Sequence, residues 1–125
     1  MEPPWHIFYY ESSDGHCPLR EFIDARRERE QAKLLSWIDL LKNRGPHLPR
    51  PHADLLEDGI HELRVTLSGD QVRCLYFFCY QNFIVLTHAF VKTTRQVPKA
   101  EIRKTQKMRA DFLNRFDERQ PRERF

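Results

Sequence analysis

"IHELRVTLSGDQVRCLYFFCYQNFIVLTHAFVK", Ile60 to Lys92, holds three strand-like runs separated by two short breaks. In the first run His61, Leu63, Val65 and Leu67 alternate with Ile60, Glu62, Arg64 and Thr66, the two-residue period of a strand buried on one side. The second and third runs are apolar on both faces, as expected at the centre of a sheet. The breaks, Ser68-Gly69 and Gln81-Asn82, are short enough for tight hairpins in which Gly or Asn takes positive φ. The stretch therefore predicts an antiparallel meander. Its last strand emerges directly into Lys92, Thr93, Thr94 and Arg95 and stops at Pro98.

Loop length sets the register. With two-residue loops, Leu67 pairs with Asp70 and Arg64 stands opposite Arg73; Tyr80 pairs with Phe83, so Arg73 faces Phe90, with His88 and Lys92 a step away on the same side. One face then gathers Arg64, Arg73, His88 and Lys92, with Arg95 just beyond. The other holds Leu63, Val65, Val72, Cys74, Tyr76, Phe78, Val85 and Ala89, ready to pack on helices. Two arginines directly across a ladder destabilise it by up to about 1 kcal/mol, which Glu62 or a bound phosphate would offset. A three-residue Ser-Gly-Asp loop would separate them, because a one-residue slip turns a strand over.

Outward from the meander, "WHIFYY" reads as a first strand closed by the turn-rich "ESSDGHCP". "PLREFIDARRERE" and "QAKLLSWIDLLKN" read as amphipathic helices, with Leu19, Phe22 and Ile23 inward on the first and Leu34, Leu35, Ile38 and Leu41 on the second. A hairpin and one bent rod both fit, since "ARRERE" contains no Gly or Pro. "RGPHLPRPHADLLEDG" reads as a surface loop. Pro98 opens a last helix in which Ile102, Thr105, Met108, Phe112 and Phe116 share a stripe, with Arg103, Lys104, Lys107 and Arg109 elsewhere. A frayed tail is expected at about 117–125. The expectation is a single α+β domain over residues 1–125, an antiparallel sheet packed against two N-terminal helices with a C-terminal helix.

Composition narrows the classes of function. At 125 residues, 40% hydrophobic and 31% charged, the chain can bury one ordinary core. No apolar run approaches the roughly 20 residues of a spanning helix, and the N-terminus has no signal-peptide pattern, so no membrane partner is expected and the location is read as cytoplasmic. Three cysteines, Cys17, Cys74 and Cys79, are too few for a disulfide framework. Cys74, Cys79 and His88 make a poor metal set, because an odd separation puts the two thiols on opposite faces of a strand. The 4 glycines form no phosphate-cradling loop. No cofactor or metal is expected. Charge is uneven: from Lys92 onward there are 11 Lys and Arg against 5 Asp and Glu, before it 10 against 13. Such a cationic end draws polyanions, although a solvated basic helix or an acidic protein partner would look the same.

"LLEDGIHELRV", "QVRCLYFF" and "IVLTHAFVKTTRQVPKAEIRK", in that order, resemble the RelE/HigB superfamily of toxins from bacterial toxin-antitoxin pairs, in its phage-derived HigB-like branch. The likeness is good over Leu55 to Met108 and extends upstream only in layout. It implies a metal-independent endoribonuclease that cuts mRNA, commonly on the ribosome, by attack of a 2′-OH on the adjacent phosphate to give a 2′,3′-cyclic phosphate. It also implies a cognate helix-turn-helix antitoxin. By motif position Arg73 resembles the arginine that stabilises the scissile phosphate. His88 is the acid/base candidate because imidazole titrates near neutrality, though a histidine held by hydrogen bonds at a sheet edge explains it equally. Lys92 is placed with the catalytic groups, and Arg64, Thr93, Arg95 and Lys99 with the substrate. A salt bridge with Glu62 would explain Arg64 without a substrate. Tyr76 points at the core by alternation. RelE carries lysines where this chain has Ile60 and Glu62, which leaves the general base unassigned, and Thr93 and Val97 replace the branch's second lysine and helix-capping threonine. Competing readings are a ParE-like toxin that inhibits gyrase without cleavage and a nonenzymatic nucleic-acid-binding domain.

Overall fold

The sheet has the strand order β1-β5-β4-β3-β2, built from β1 (His6–Tyr9), β2 (Ala53–Glu57), β3 (Ile60–Leu67), β4 (Asp70–Cys79) and β5 (Phe83–Val91). These come from a computed structural model that describes residues 5–116; the expected frayed tail at 117–125 lies outside the described residues. Four strands run antiparallel, and β1 joins the far side of β5 in parallel, so the sheet is mixed. Helices α1 (Pro18–Asp24) and α2 (Glu28–Arg44) cover one face, and α3 (Lys99–Arg115) lies on the other.

The hairpin or bent-rod ambiguity resolves as two helices broken at Ala25–Arg27. Arg26 turns inward there and bridges Glu30 (3.1 Å) and Asp70 at the β3–β4 turn (3.1 Å), so tertiary pairing overrides the helical propensity of the run. Leu19, Ile23, Leu34, Ile38 and Leu41 pack on Leu63, Val65, Val72, Cys74, Tyr76, Ile84 and Leu86. Leu35, expected inward, is exposed at 45%.

The segment expected to be a loop contains β2, which pairs with β3 through a tight turn at Asp58 (φ 52°) and Gly59 (φ 72°). Positive φ at both positions is the type I′ hairpin turn that Asp-Gly favours, and Ser68-Gly69 repeats it. The register predicted for β3 and β4 holds, with Arg64 opposite Arg73.

Arg73 also faces Phe90, by a route the sequence reading did not contain. The β4–β5 loop has three residues, since Cys79 pairs with Phe83, and an extra residue at Thr87 shifts the ladder back. That β-bulge puts Val85 on the α3 face, where α1 and α2 were expected to meet it, and aims both Thr87 and His88 at α3. The Thr87 hydroxyl donates to the Leu75 carbonyl across the ladder (3.0 Å).

Under α3, Phe8, Phe77, Val85, Phe112 and Phe116 form one apolar cluster and Ile60, Leu75 and Ile102 another. The helix begins over Leu75 and runs toward Phe77. The next β4 side chain on that face, Arg73, therefore lies beyond its first turn.

Candidate functional site

Beyond the first turn of α3, the sheet face opens into a cleft of about 510 Å³. β2 supplies Leu55, Leu56 and Glu57; β3, Glu62 and Arg64; β4, Arg73; the β5–α3 connector, Lys92, Arg95, Gln96 and Val97; and α3, Lys99 and Ile102. Five cations thus line the cleft against two carboxylates. Of the residues singled out in the sequence, Arg64, Arg73, Lys92, Arg95 and Lys99 meet here, while His88 and Thr93 do not line it.

At the floor, Arg73 is 8% exposed and Glu62 is 3% exposed. Glu62 sits between the facing arginines, 3.0 Å from Arg73 Nε through Oε1 and 3.2 Å from Arg64 Nη2 through Oε2. Asp54 adds a second contact to Arg64 at 3.4 Å. The cross-strand repulsion is therefore offset from within the chain. The offset is incomplete: Arg73 Nε and Glu62 Oε1 are close enough to attract as charges but misaligned for a hydrogen bond, and both, with Arg64 Nε, are buried without a hydrogen-bond partner in the protein. Arg73 Nη1 donates to its neighbour's carbonyl, Val72 O (3.1 Å). Burial pushes the Arg73 guanidinium down from its ordinary value and the Glu62 carboxylate raises it. It remains a cation near neutrality, since an arginine in a protein does not give up its proton there.

At the rim, Lys92 donates to Thr94 O (2.7 Å) and Arg95 O (3.1 Å), which folds the connector back on itself and leaves Arg95 exposed. Lys99 meets Glu57 at 3.0 Å across the mouth. Thr93 is exposed outside the cleft.

His88 requires a correction. It is on the expected face, but the bulge and α3 seal it at 3% exposure, away from the open cleft. Its Nε2 lies 3.2 Å from Glu101 Oε1, its Nδ1 3.2 Å from Thr87 Oγ1 and 3.5 Å from Thr105 Oγ1, and its ring stacks on Phe90. Burial lowers its pKa against the raising effect of Glu101. Tyr76 is buried on the opposite face, where burial pushes its phenol up, as burial does the Cys74 thiol. Sequence reasoning missed β2, which supplies one wall of the cleft and the Asp54 contact, although the Asp58-Gly59 turn signal was present.

The fold and cleft together define a small α+β domain with a cationic groove on one sheet face, and among the described residues no helix is long and apolar enough to cross a membrane. Residues 21–110 match the family described as Phage derived protein Gp49-like (DUF891), and the chain belongs to it. That family is associated with the toxins of toxin-antitoxin systems. The match runs from α1 into α3 and includes every residue lining the cleft. No curated protein matches the chain.

Proposed function

We propose that the protein is a RelE/HigB-type toxin that cleaves mRNA, in company with the ribosome, and is held in check by a cognate antitoxin. The observation that carries this reading is Arg73 at the floor of an open cleft, beside Arg64 and below Lys92, Arg95 and Lys99, with more cations than carboxylates around it. A guanidinium fork matches two phosphate oxygens and stays charged as the phosphorane forms. In the reaction the 2′-OH loses its proton and attacks phosphorus, the bond to the 5′ oxygen breaks, and that oxygen gains a proton, leaving a 2′,3′-cyclic phosphate and a 5′-OH. Arg73 and Arg64 hold the phosphoryl oxygens; Arg95 and Lys99 guide the flanking backbone; Lys92 shapes the connector. His88 has a structural part in this scheme, joining β5 to α3.

The gyrase-inhibitor alternative called for a face closed by apolar packing, and the charged floor of the cleft weighs against it. One observation favours the nonenzymatic RNA-binding alternative: the imidazole is sealed away from the cations. Incubating the protein with translating ribosomes and separately with naked RNA, then mapping 5′ ends, separates the nuclease from the binding reading. Cuts confined to the ribosomal reaction are expected; cuts in both would remove the ribosome from the scheme, and RNA bound without cuts in either would replace the nuclease with the binding domain.

A further inference from the structure

We propose that the solvent face of α3 is a second phosphate-binding surface, gripping RNA backbone beyond the nucleotides that occupy the cleft. Lys99, Arg103 and Lys107 stand at four-residue steps, so they form one ridge that rises about 6 Å per step, and Lys104 flanks it. All four are exposed. Like charges at this spacing weaken a helix, so the sequence keeps an arrangement that its own stability disfavours.

Several cations of the molecule are neutralised locally, Arg26, Arg50, Arg109 and Arg115 each by a carboxylate. Among the described residues, Arg103, Lys104 and Lys107 have none within ion-pairing distance. The two acidic residues of α3 are turned elsewhere, Glu101 to His88 and Asp111 to Tyr10 and Arg115.

The occupant follows from what accompanies the charge. The apolar stripe of α3 is already buried on the sheet and Leu113 is its one exposed large apolar residue, too little apolar surface for a membrane to take in. Lysine is depleted, and aromatics enriched, where proteins bury surface against one another, and the ridge is interleaved with nothing more apolar than Ala100 and Ala110. A nucleic-acid backbone needs only cations at intervals. The ridge also starts at the cleft, because Lys99 belongs to both. A strand leaving the scissile position at that end therefore passes onto α3. From Lys99 to Lys107 the helix rises about 12 Å, enough to follow the backbone past the cleft.

This inference rests on the cleft being an RNA site but does not need cleavage, so its test uses RNA that cannot be cut. Binding of 2′-O-methyl oligonucleotides of about four and about twelve residues is measured over a salt series for the parent, for Arg73→Ala, and for the triple variant Arg103→Gln, Lys104→Gln, Lys107→Gln. The triple variant is expected to bind the short oligomer as the parent does, to lose the extra affinity of the long one, and to lower its slope of log K against log salt by about 2. Each single change should lower it by about 0.7, which keeps the test available if the triple variant fails to fold. An unchanged slope for the long oligomer overturns the proposal, as does equal loss on both lengths. So does a triple variant that keeps RNA but loses polyglutamate or phosphatidylserine vesicles. Parent protein that binds the long oligomer and ignores the short one would instead remove the cleft as an RNA site while leaving the ridge.

Discussion

The α3 face of the sheet has a closed end and an open end, and they differ in what the chain does with polar groups. At the closed end the buried polar side chains among the described residues are matched: Tyr10 donates to Asp111 (2.6 Å), Asp111 pairs with Arg115, and His88 lies among Thr87, Thr105 and Glu101. At the open end Glu62 is shared by two guanidinium groups, and three buried polar atoms have no hydrogen-bond partner in the protein. Burying such atoms unmatched costs about 1–3 kcal/mol each. The same sheet thus has an end that contributes stability and an end that gives some of it up. That division of labour is open to attack from either side.

The largest effect is expected at the closed end. Phe112 is fully buried between Phe77 and Phe116, so Phe112→Ala should destabilise the protein by about 3–5 kcal/mol through lost burial and a residual cavity. Urea unfolding measures it. The molecules that remain folded should keep their activity, and a loss of activity beyond the unfolded fraction would show that the two ends are coupled. Next comes Arg73→Ala at the open end, expected to lower cleavage about 100- to 1,000-fold, as removal of one preorganised donor does. Its unfolding midpoint should move less than that of Phe112→Ala, because Glu62 keeps its contact with Arg64. Arg73→Met, which retains the aliphatic stem, separates packing from charge. Undiminished cleavage by a folded Arg73 variant removes it from the mechanism.

The closed end was more legible in the sequence than the open one, for reasons that individual residues make plain. The α3 stripe from Ile102 to Phe116 follows from its period, and the pairing of Arg64 with Arg73 follows from Ser68-Gly69. The pairing of Arg73 with Phe90 came out right because two departures cancelled: a loop one residue longer than expected and a bulge at Thr87. Bulges carry little local signal, so neither the placement of Val85 nor the shared orientation of Thr87 and His88 could be read. Period assigns a side chain to a face but says nothing of how far along that face a helix reaches. His88 and Arg73 were therefore grouped, and α3 covers one and stops short of the other. β2 was lost behind prolines, which outweighed the Asp-Gly turn that ends it.

A smaller effect, dependent on pH, should mark the closed end and not the open one. Burial lowers the pKa of His88 in the folded protein, so below the ordinary imidazole value of 6.5 the unfolded chain takes up a proton that the folded chain resists. Its contribution to stability is then full above that value and declines as pH falls toward the folded pKa. The slope cannot exceed about 1.4 kcal/mol per pH unit for one proton. Glu101, hydrogen-bonded to Nε2, opposes the shift and Lys104 reinforces it. His61, on the other face, is also lowered by burial and contributes with the same sign. The difference in unfolding free energy between the parent and His88→Gln across mildly acid pH isolates the one residue. A difference that stays flat there would mean His88 is not held neutral under α3.

The finest distinction concerns Lys92, which the sequence placed with the catalytic groups and the fold ties to its own connector. If its ammonium meets phosphate, Lys92→Met and Arg95→Gln should each weaken RNA binding independently, and the double variant should show the sum. If it acts by holding Thr94 O and Arg95 O, removing it releases Arg95 from position, and the second change should add little. The geometry favours the second outcome, with each single variant several-fold weaker than the parent and the double scarcely worse than either. Backbone order parameters at residues 93–96 add a readout that a direct phosphate contact would not move: order should fall in Lys92→Met and stay unchanged in Arg95→Gln. Additive losses with unaltered order would return Lys92 to the phosphate and make the open end a site of five independent cations instead of four and a staple.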